Sequence, residues 1–278
     1  MILASIFFAL LAVMVRNLSK VLPTFEILFF QCIPSMIFMP LLLRKNKIKL
    51  IGKNKFALFF RGVFSFFSLV FYYSALKKMS IASAVTILQL SPFFIIILSV
   101  LFLKEKISKY QIPITIFAFS GALFIIKPGF GFNYLPAIFG VLAAFFGGSG
   151  QALVRHLRLT DHPFVVMNYL FIIMGFLSLF FQLSSGNFVI PEISMILDLI
   201  ILGLIYFFGQ LFLTLAYFHL PASLVSLYKY SQIIFGTVLG FIFFYELPDI
   251  YSLLGAIIII ISGFLNYKSS FNKFIETI

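Results

Sequence analysis

Lys229 and Arg61 are the two basic residues that fall inside long apolar runs of this chain. A charge held among hydrocarbon costs several kcal/mol, so its presence asks for a partner or a purpose. Lys229 stands between Tyr228 and Tyr230, about a third of the way into its run. Two readings of it are open: an ammonium facing a central cavity, where it would bind a carboxylate or phosphate, or a side chain that snorkels to the interface. Arg61 lies nearer the end of its run, where snorkelling or a hydrogen bond to loop carbonyls competes with a binding role. Tyr228 and Tyr230 could stack on a planar ring. Gln31, Gln89, Ser91, Gln151, Asn168, Gln210 and Gln232 are polar and uncharged within apolar runs. Helix–helix hydrogen bonding is the common use of such residues, and Gln31 and Gln89 are also candidates for a binding site.

Other chemistry is missing. No Asp or Glu falls in the middle of an apolar run; Glu26 and Asp198 lie near run ends. A proton relay normally needs a buried carboxylate or His, so exchange or facilitated diffusion is expected over direct proton coupling. There is no HExxH, CxxC or Gly-Lys-Ser/Thr loop. No metal, cofactor or catalytic group is therefore expected. Cys32 is the sole cysteine, which rules out an internal disulfide.

The elements that hold these residues must be membrane helices. Hydrophobic residues make up 62% of the 278 and charged residues 10%, too few to clothe a soluble domain. The apolar residues gather in runs of roughly 20, the length that crosses about 30 Å of hydrocarbon. They do not alternate as barrel strands would. The expected helices are Ile2 to Val15, Thr24 to Leu43, Phe56 to Leu76, Ile81 to Leu103, Tyr110 to Ile126, Leu135 to Leu153, Pro163 to Phe181, Met195 to Leu215, Ala222 to Phe244 and Ile250 to Leu265. The first run precedes the first basic residue, Arg16, the reverse of a signal peptide's order, so it is expected to remain as helix 1.

The net charge of +12 orients the chain in a bilayer and does not imply nucleic acid. With the N-terminus inside, the inner segments hold Arg44, Lys45, Lys47, Lys49, Lys53, Lys55, Lys104, Lys106, Lys109, Arg155, Arg158, Lys268 and Lys273. The outer ones hold only Arg16, Lys20, Lys77, Lys78 and Lys127. That bias places both termini in the cytoplasm.

The second half echoes the first. Aligning Glu105 of "LFLKEKIS" with Glu246 of "FIFFYELPD" also pairs Ala75 with Ala216, Phe102 with Phe243 and Gln89 with Tyr230. One further residue of shift pairs Ser120-Gly121 with Ser262-Gly263. Five helices per repeat is odd, so the halves, residues 1–126 and 127–278, must enter the membrane from opposite sides. The expected fold is an all-α polytopic membrane protein with ten transmembrane helices as two inverted five-helix repeats. Such halves typically flank a midplane substrate site. Pro34, Pro40 and Pro92 sit inside spans and can kink them. Gly236 and Gly240 form a GxxxG face suited to close packing, within the chain or in a homodimer. Glu105 and Glu246 read as capping or topology residues.

Arg61-Gly62, Tyr73-x-Ala75-Leu76, Ser91-Pro92 and Glu105 together resemble the drug/metabolite transporter superfamily, in its ten-helix form with two EamA domains. The resemblance covers nearly the whole chain. It implies a secondary transporter for a small metabolite in a bacterial inner membrane, working by alternating access and not as an enzyme. Within that superfamily, "SKVLPTFEILFFQ", "YKYSQ" and "ELPD" resemble S-adenosylmethionine uptake permeases of intracellular bacteria. There, a carboxylate would meet Lys229 and an adenine ring the tyrosines. Two positions depart from the pattern: Gln31 and Lys229 stand where Arg is usual. Amino-acid or drug export is the alternative cargo reading, and a membrane enzyme or assembly factor is the alternative of a different class.

Overall fold

The computed structural model describes residues 1–103, 110–126, 134–219, 225 and 228–275, and every regular element among them is helical. In chain order these are α1 (Ile2–Leu18), α2 (Thr24–Lys45), α3 (Lys55–Leu76), α4 (Ile81–Leu88), α5 (Ser91–Leu103) and α6 (Gln111–Ile126). They continue with α7 (Leu135–Leu157), α8 (Pro163–Ser185), α9 (Ile193–His219), α10 (Ser231–Phe244) and α11 (Ile250–Ile275). They make ten spans, because α4 and α5 are one span interrupted at Gln89 and Leu90. Among the described residues, six helices are long and apolar enough to cross a membrane on their own measure.

Several helices outrun the apolar runs that announced them. α2 continues through Arg44 and Lys45, and α7 through Arg155. Basic side chains at a helix C-terminus complement its dipole and reach water along their own stems, so polarity there does not stop the helix. The fourth span differs from its expected continuous form. Pro92 has no N–H for the Leu88 carbonyl, and the amides of Gln89 and Leu90 tighten onto Thr86 and Ile87, each at 3.0 Å. In the ninth span, expected from Ala222, Val225, Tyr228 and Lys229 are helical, and α10 runs on from Ser231 after a turn at Tyr230. Ala222 and Glu105 lie outside the described residues.

Loops tie to one another in two sets. Asp161, between α7 and α8, accepts the amides of Lys53 (2.6 Å) and Asn54 (3.3 Å), between α2 and α3. At the opposite end Glu26, in the first turn of α2, accepts Val189 N (3.2 Å) between α8 and α9. There too, Arg16 of α1 forms an ion pair with Glu246 and donates to the Met79 carbonyl at 2.8 Å. Successive loops thus alternate between two faces, as a serpentine of spans requires.

Exchanging each span for the one five places on maps the packing onto itself. The α3–α7 contact corresponds to α1–α9, α3–α8 to α2–α9, and α4/α5–α7 to α1–α10. The α2–α8, α6–α11 and α4–α10 contacts are their own images. Small residues let these helices approach: a Cβ on Gly62 would lie 2.6 Å from Ile173, and one on Gly203 2.5 Å from Pro34. The outer surface carries a belt of exposed Phe, Ile and Leu, among them Phe176, Phe180, Ile196 and Phe243. Such an apolar girdle belongs in lipid.

The Gly236/Gly240 face is occupied within the chain. Gly236 meets Val85 and Gly240 meets Ile81, both of α4. That face is therefore buried inside one protomer and not offered to a second copy.

Candidate functional site

A cavity lies between the two halves at the depth of the α4–α5 break. Its walls are Phe8 and Leu11 of α1, Arg61, Ser65, Ser68, Leu69 and Tyr72 of α3, and Leu88 and Ser91 at the break. Gly147 and Gln151 of α7, Tyr206, Gln210 and Leu213 of α9, and Lys229 and Gln232 of the ninth span complete it. The empty space between these walls, with the open mouth counted in, is about 660 Å³.

The lining repeats itself. Ser65 and Tyr206, Leu69 and Gln210, Tyr72 and Leu213, Leu88 and Lys229, and Ser91 and Gln232 all line it, and the members of each pair stand 141 positions apart. The two cations break this symmetry: Leu88 occupies the position equivalent to Lys229, and Leu202 that equivalent to Arg61.

Lys229 is 4% exposed and does not snorkel. Its ammonium donates to Ser91 Oγ at 2.6 Å and to Gln151 Oε1 at 3.4 Å. Gln151 Oε1 is further held by the Tyr217 hydroxyl, which donates at 2.8 Å. The break that Pro92 imposes on the fourth span brings Ser91 to the cavity wall, so local backbone chemistry and the cation's seat are linked. Arg61 is also 4% exposed. Its Nη1 donates to Ser65 Oγ, one turn along α3, and its Nε has no hydrogen-bond partner among the described residues. A Cβ on Gly150 would lie 3.2 Å from Nη1, so the bare helix backbone there makes room for the guanidinium. Both cations thus have neutral partners, and no Asp or Glu lines the cavity among the described residues. Two further lining atoms lack partners: the Tyr72 hydroxyl and Gln210 Oε1. A site with an unmatched cation, a free hydroxyl and a free amide oxygen can recognise an anion that also carries a hydrogen-bond donor.

Of the six residues singled out from sequence, the structure brings Arg61 and Lys229 together in the cavity wall. Gln89 is one contact behind it, donating to Gln232 Oε1 at 3.1 Å. Gln31 lies between α2 and α3, accepting from the Tyr73 hydroxyl at 2.5 Å. Tyr228 is 44% exposed and Tyr230 packs its ring on Gly263, where a Cβ would lie 2.0 Å away. Neither tyrosine lines the cavity, because neighbours on a helix point about 100° apart; flanking Lys229 in sequence turns them away from it in space. Tyr72, Tyr206 and Ser65 were not singled out. The 141-residue offset, applied to Ser65, leads to Tyr206.

One end of the cavity is sealed. Beyond Leu88 and Gln232, α4 and α10 close on each other through Val85 against Gly236 and Ile81 against Gly240. Above these layers Glu246 pairs with Arg16 and accepts the Ile81 amide at 3.2 Å, while the Arg16 guanidinium lies 5.1 Å from the Phe244 ring centre.

Comparison with known proteins places this geometry. The sequence pattern of the EamA-like transporter family matches residues 1–127 and again 135–268. The chain is 30% identical to the pseudopaline exporter CntI of Pseudomonas aeruginosa, over 94% of this chain and 92% of that one. It is 28% identical to mouse solute carrier family 35 member G1, over 94% and 75%. It is 27% identical to the riboflavin transporter of Rhizobium johnstonii, over 94% and 87%. A solved crystal structure superposes with a TM-score of 0.63, covering 94% of this chain and 95% of its own at 16% identity, which speaks to the fold alone.

Proposed function

The chain belongs to the EamA-like transporter family, and on that premise we propose that it carries a small metabolite with an anionic group through the Lys229–Arg61 cavity. The observation behind this reading is the pair of buried cations whose described partners are all neutral. In a bilayer such charges are costly, and an anionic cargo would offset that cost only while it is bound. Tight, sealed packing at the Glu246 end and a mouth elsewhere suit one stage of alternating access. The moving units would be the repeats at residues 1–126 and 127–278, rocking about the midplane. The chain would sit in the inner membrane of a bacterial-type cell with its basic loops and both termini in the cytoplasm.

S-adenosylmethionine uptake is the narrower form of this reading, and export of an amino acid or other metabolite is its alternative. Two of the relatives above are named for a cargo, pseudopaline for one and riboflavin for the other, and neither name supports S-adenosylmethionine. A thermal-shift screen of purified protein against metabolites finds ligands of the native state, and liposome flux of each hit tests carriage. Absence of saturable flux for every ligand that raises the melting temperature would overturn the reading.

A further inference from the structure

The proposed carriage of an anion leaves open how many negative groups the cargo bears. Lys229 and Arg61 approach the cavity from opposite halves of the chain, and they flank neighbouring residues of α7. Lys229 Nζ lies 3.4 Å from Gln151 Oε1, and Arg61 Nη1 lies 3.2 Å from where Gly150 would carry a Cβ. They do not share an anchor, since Lys229 is held by Ser91 and Gln151 and Arg61 by Ser65. Each keeps capacity to spare. An ammonium has three donors, of which two are used, and the guanidinium Nε is unpartnered. One carboxylate seated on either cation leaves the other, itself 4% exposed, without a charge partner, and an unmatched buried charge is costly. Two anionic groups on one cargo satisfy both.

Resting on that reading, we infer that the cargo carries two separate anionic groups, one bound by Lys229 and the other by Arg61, and a hydrogen-bond donor that meets Gln210 Oε1. The cargo class is a small dicarboxylate or an equivalent dianion with an amino or hydroxyl group. The Tyr72 hydroxyl, also unpartnered in the cavity wall, is free to donate to a further oxygen of the cargo. S-adenosylmethionine, with one carboxylate and a cationic sulfonium, fits this site poorly.

The test uses the full-length protein and a series of linear dicarboxylates from malonate to suberate, each beside its mono-amide. Affinity is read from thermal shift and from competition in liposome counterflow. The best dicarboxylate should bind at least about tenfold more tightly than its mono-amide. Arg61→Gln and Lys229→Gln should each erase that discrimination, and Arg61→Lys should restore part of it. Equal binding of dicarboxylate and mono-amide by the parent would overturn the inference without recourse to any variant. So would discrimination that survives Arg61→Gln. A monocarboxylate that binds as tightly and depends on Lys229 alone would overturn the two-anion inference and leave the anionic-cargo reading standing. No response to any anion would overturn both. S-adenosylmethionine should compete no better than a monocarboxylate.

Discussion

Replacing Glu246 by Gln isolates the seal at one end of the cavity. The substitution keeps the side chain's size and an oxygen able to accept the Ile81 amide, but it removes the ion pair to Arg16 and weakens the 3.1 Å hydrogen bond from Arg16 Nη1. Both side chains are about a fifth exposed, at 20% and 22%, so solvent screens the pair. A charge-assisted bond in that setting is worth about 1–2 kcal/mol. Arg16 would keep the Met79 carbonyl at 2.8 Å and the Phe244 ring, and the glycine layers beneath would be untouched. The loss therefore falls on the closed arrangement of this end, shifting its closed-to-open ratio by a factor of roughly 5–30. The assay places a cysteine at Leu69, in the cavity wall, after Cys32→Ser removes the native thiol. An impermeant reagent added from the Glu246 face should label Leu69→Cys roughly 5–30 times faster in Glu246→Gln than in the parent. Arg16→Gln should give a similar increase, and the double variant should add little, since the two residues act as one contact. Unchanged labelling in both single variants would refute the idea that this pair holds the end shut. A faster rate accompanied by collapse of the thermal transition would mean general loosening.

Three other outcomes follow from the same structure. Gly263→Ala should destabilise the fold by about 1–3 kcal/mol, the usual cost of overpacking. The new methyl would overlap the Tyr230 ring, and thermal melting in detergent measures the loss; an unchanged melting temperature would show that the ring moves freely. A cysteine at Lys49 should label only from the cytoplasmic side, and labelling of intact cells by an impermeant reagent would invert the orientation. Exchange in proteoliposomes should persist without a pH gradient, because the described cavity lining holds no carboxylate or His; strict dependence on the gradient would reveal a proton site elsewhere.

Span positions were legible because lipid leaves backbone groups no partner but their own helix, so a long apolar run has a single regular solution. The 141-residue offset was legible through Glu105 and Glu246 and through Ala75 and Ala216, and the cavity lining follows it in five pairs. The break at Gln89 was foreshadowed by Pro92, yet a kink and an interruption look alike in sequence. What the sequence concealed was direction around each helix. Its apolar residues face lipid and core alike, and with no polar stripe to mark an inner face, Tyr228 and Tyr230 could not be told from cavity residues. Lys229 and Arg61 stood out because charge is costly on any face of a membrane helix. Glu246 read as a cap; its pairing with Arg16, 230 residues away, depends on a tertiary contact that no local pattern announces.

The most direct test of the anion-carrying cavity is flux through Lys229→Ala. Parent and variant are purified, shown by thermal melting to be folded, and reconstituted at matched density. Counterflow is then measured with the anion that most stabilises the parent. Lys229→Ala should abolish saturable counterflow, while Lys229→Arg retains part of it, because charge survives with altered reach. Parent-like flux through folded Lys229→Ala would contradict the role of this cation and remove the main support for an anionic cargo.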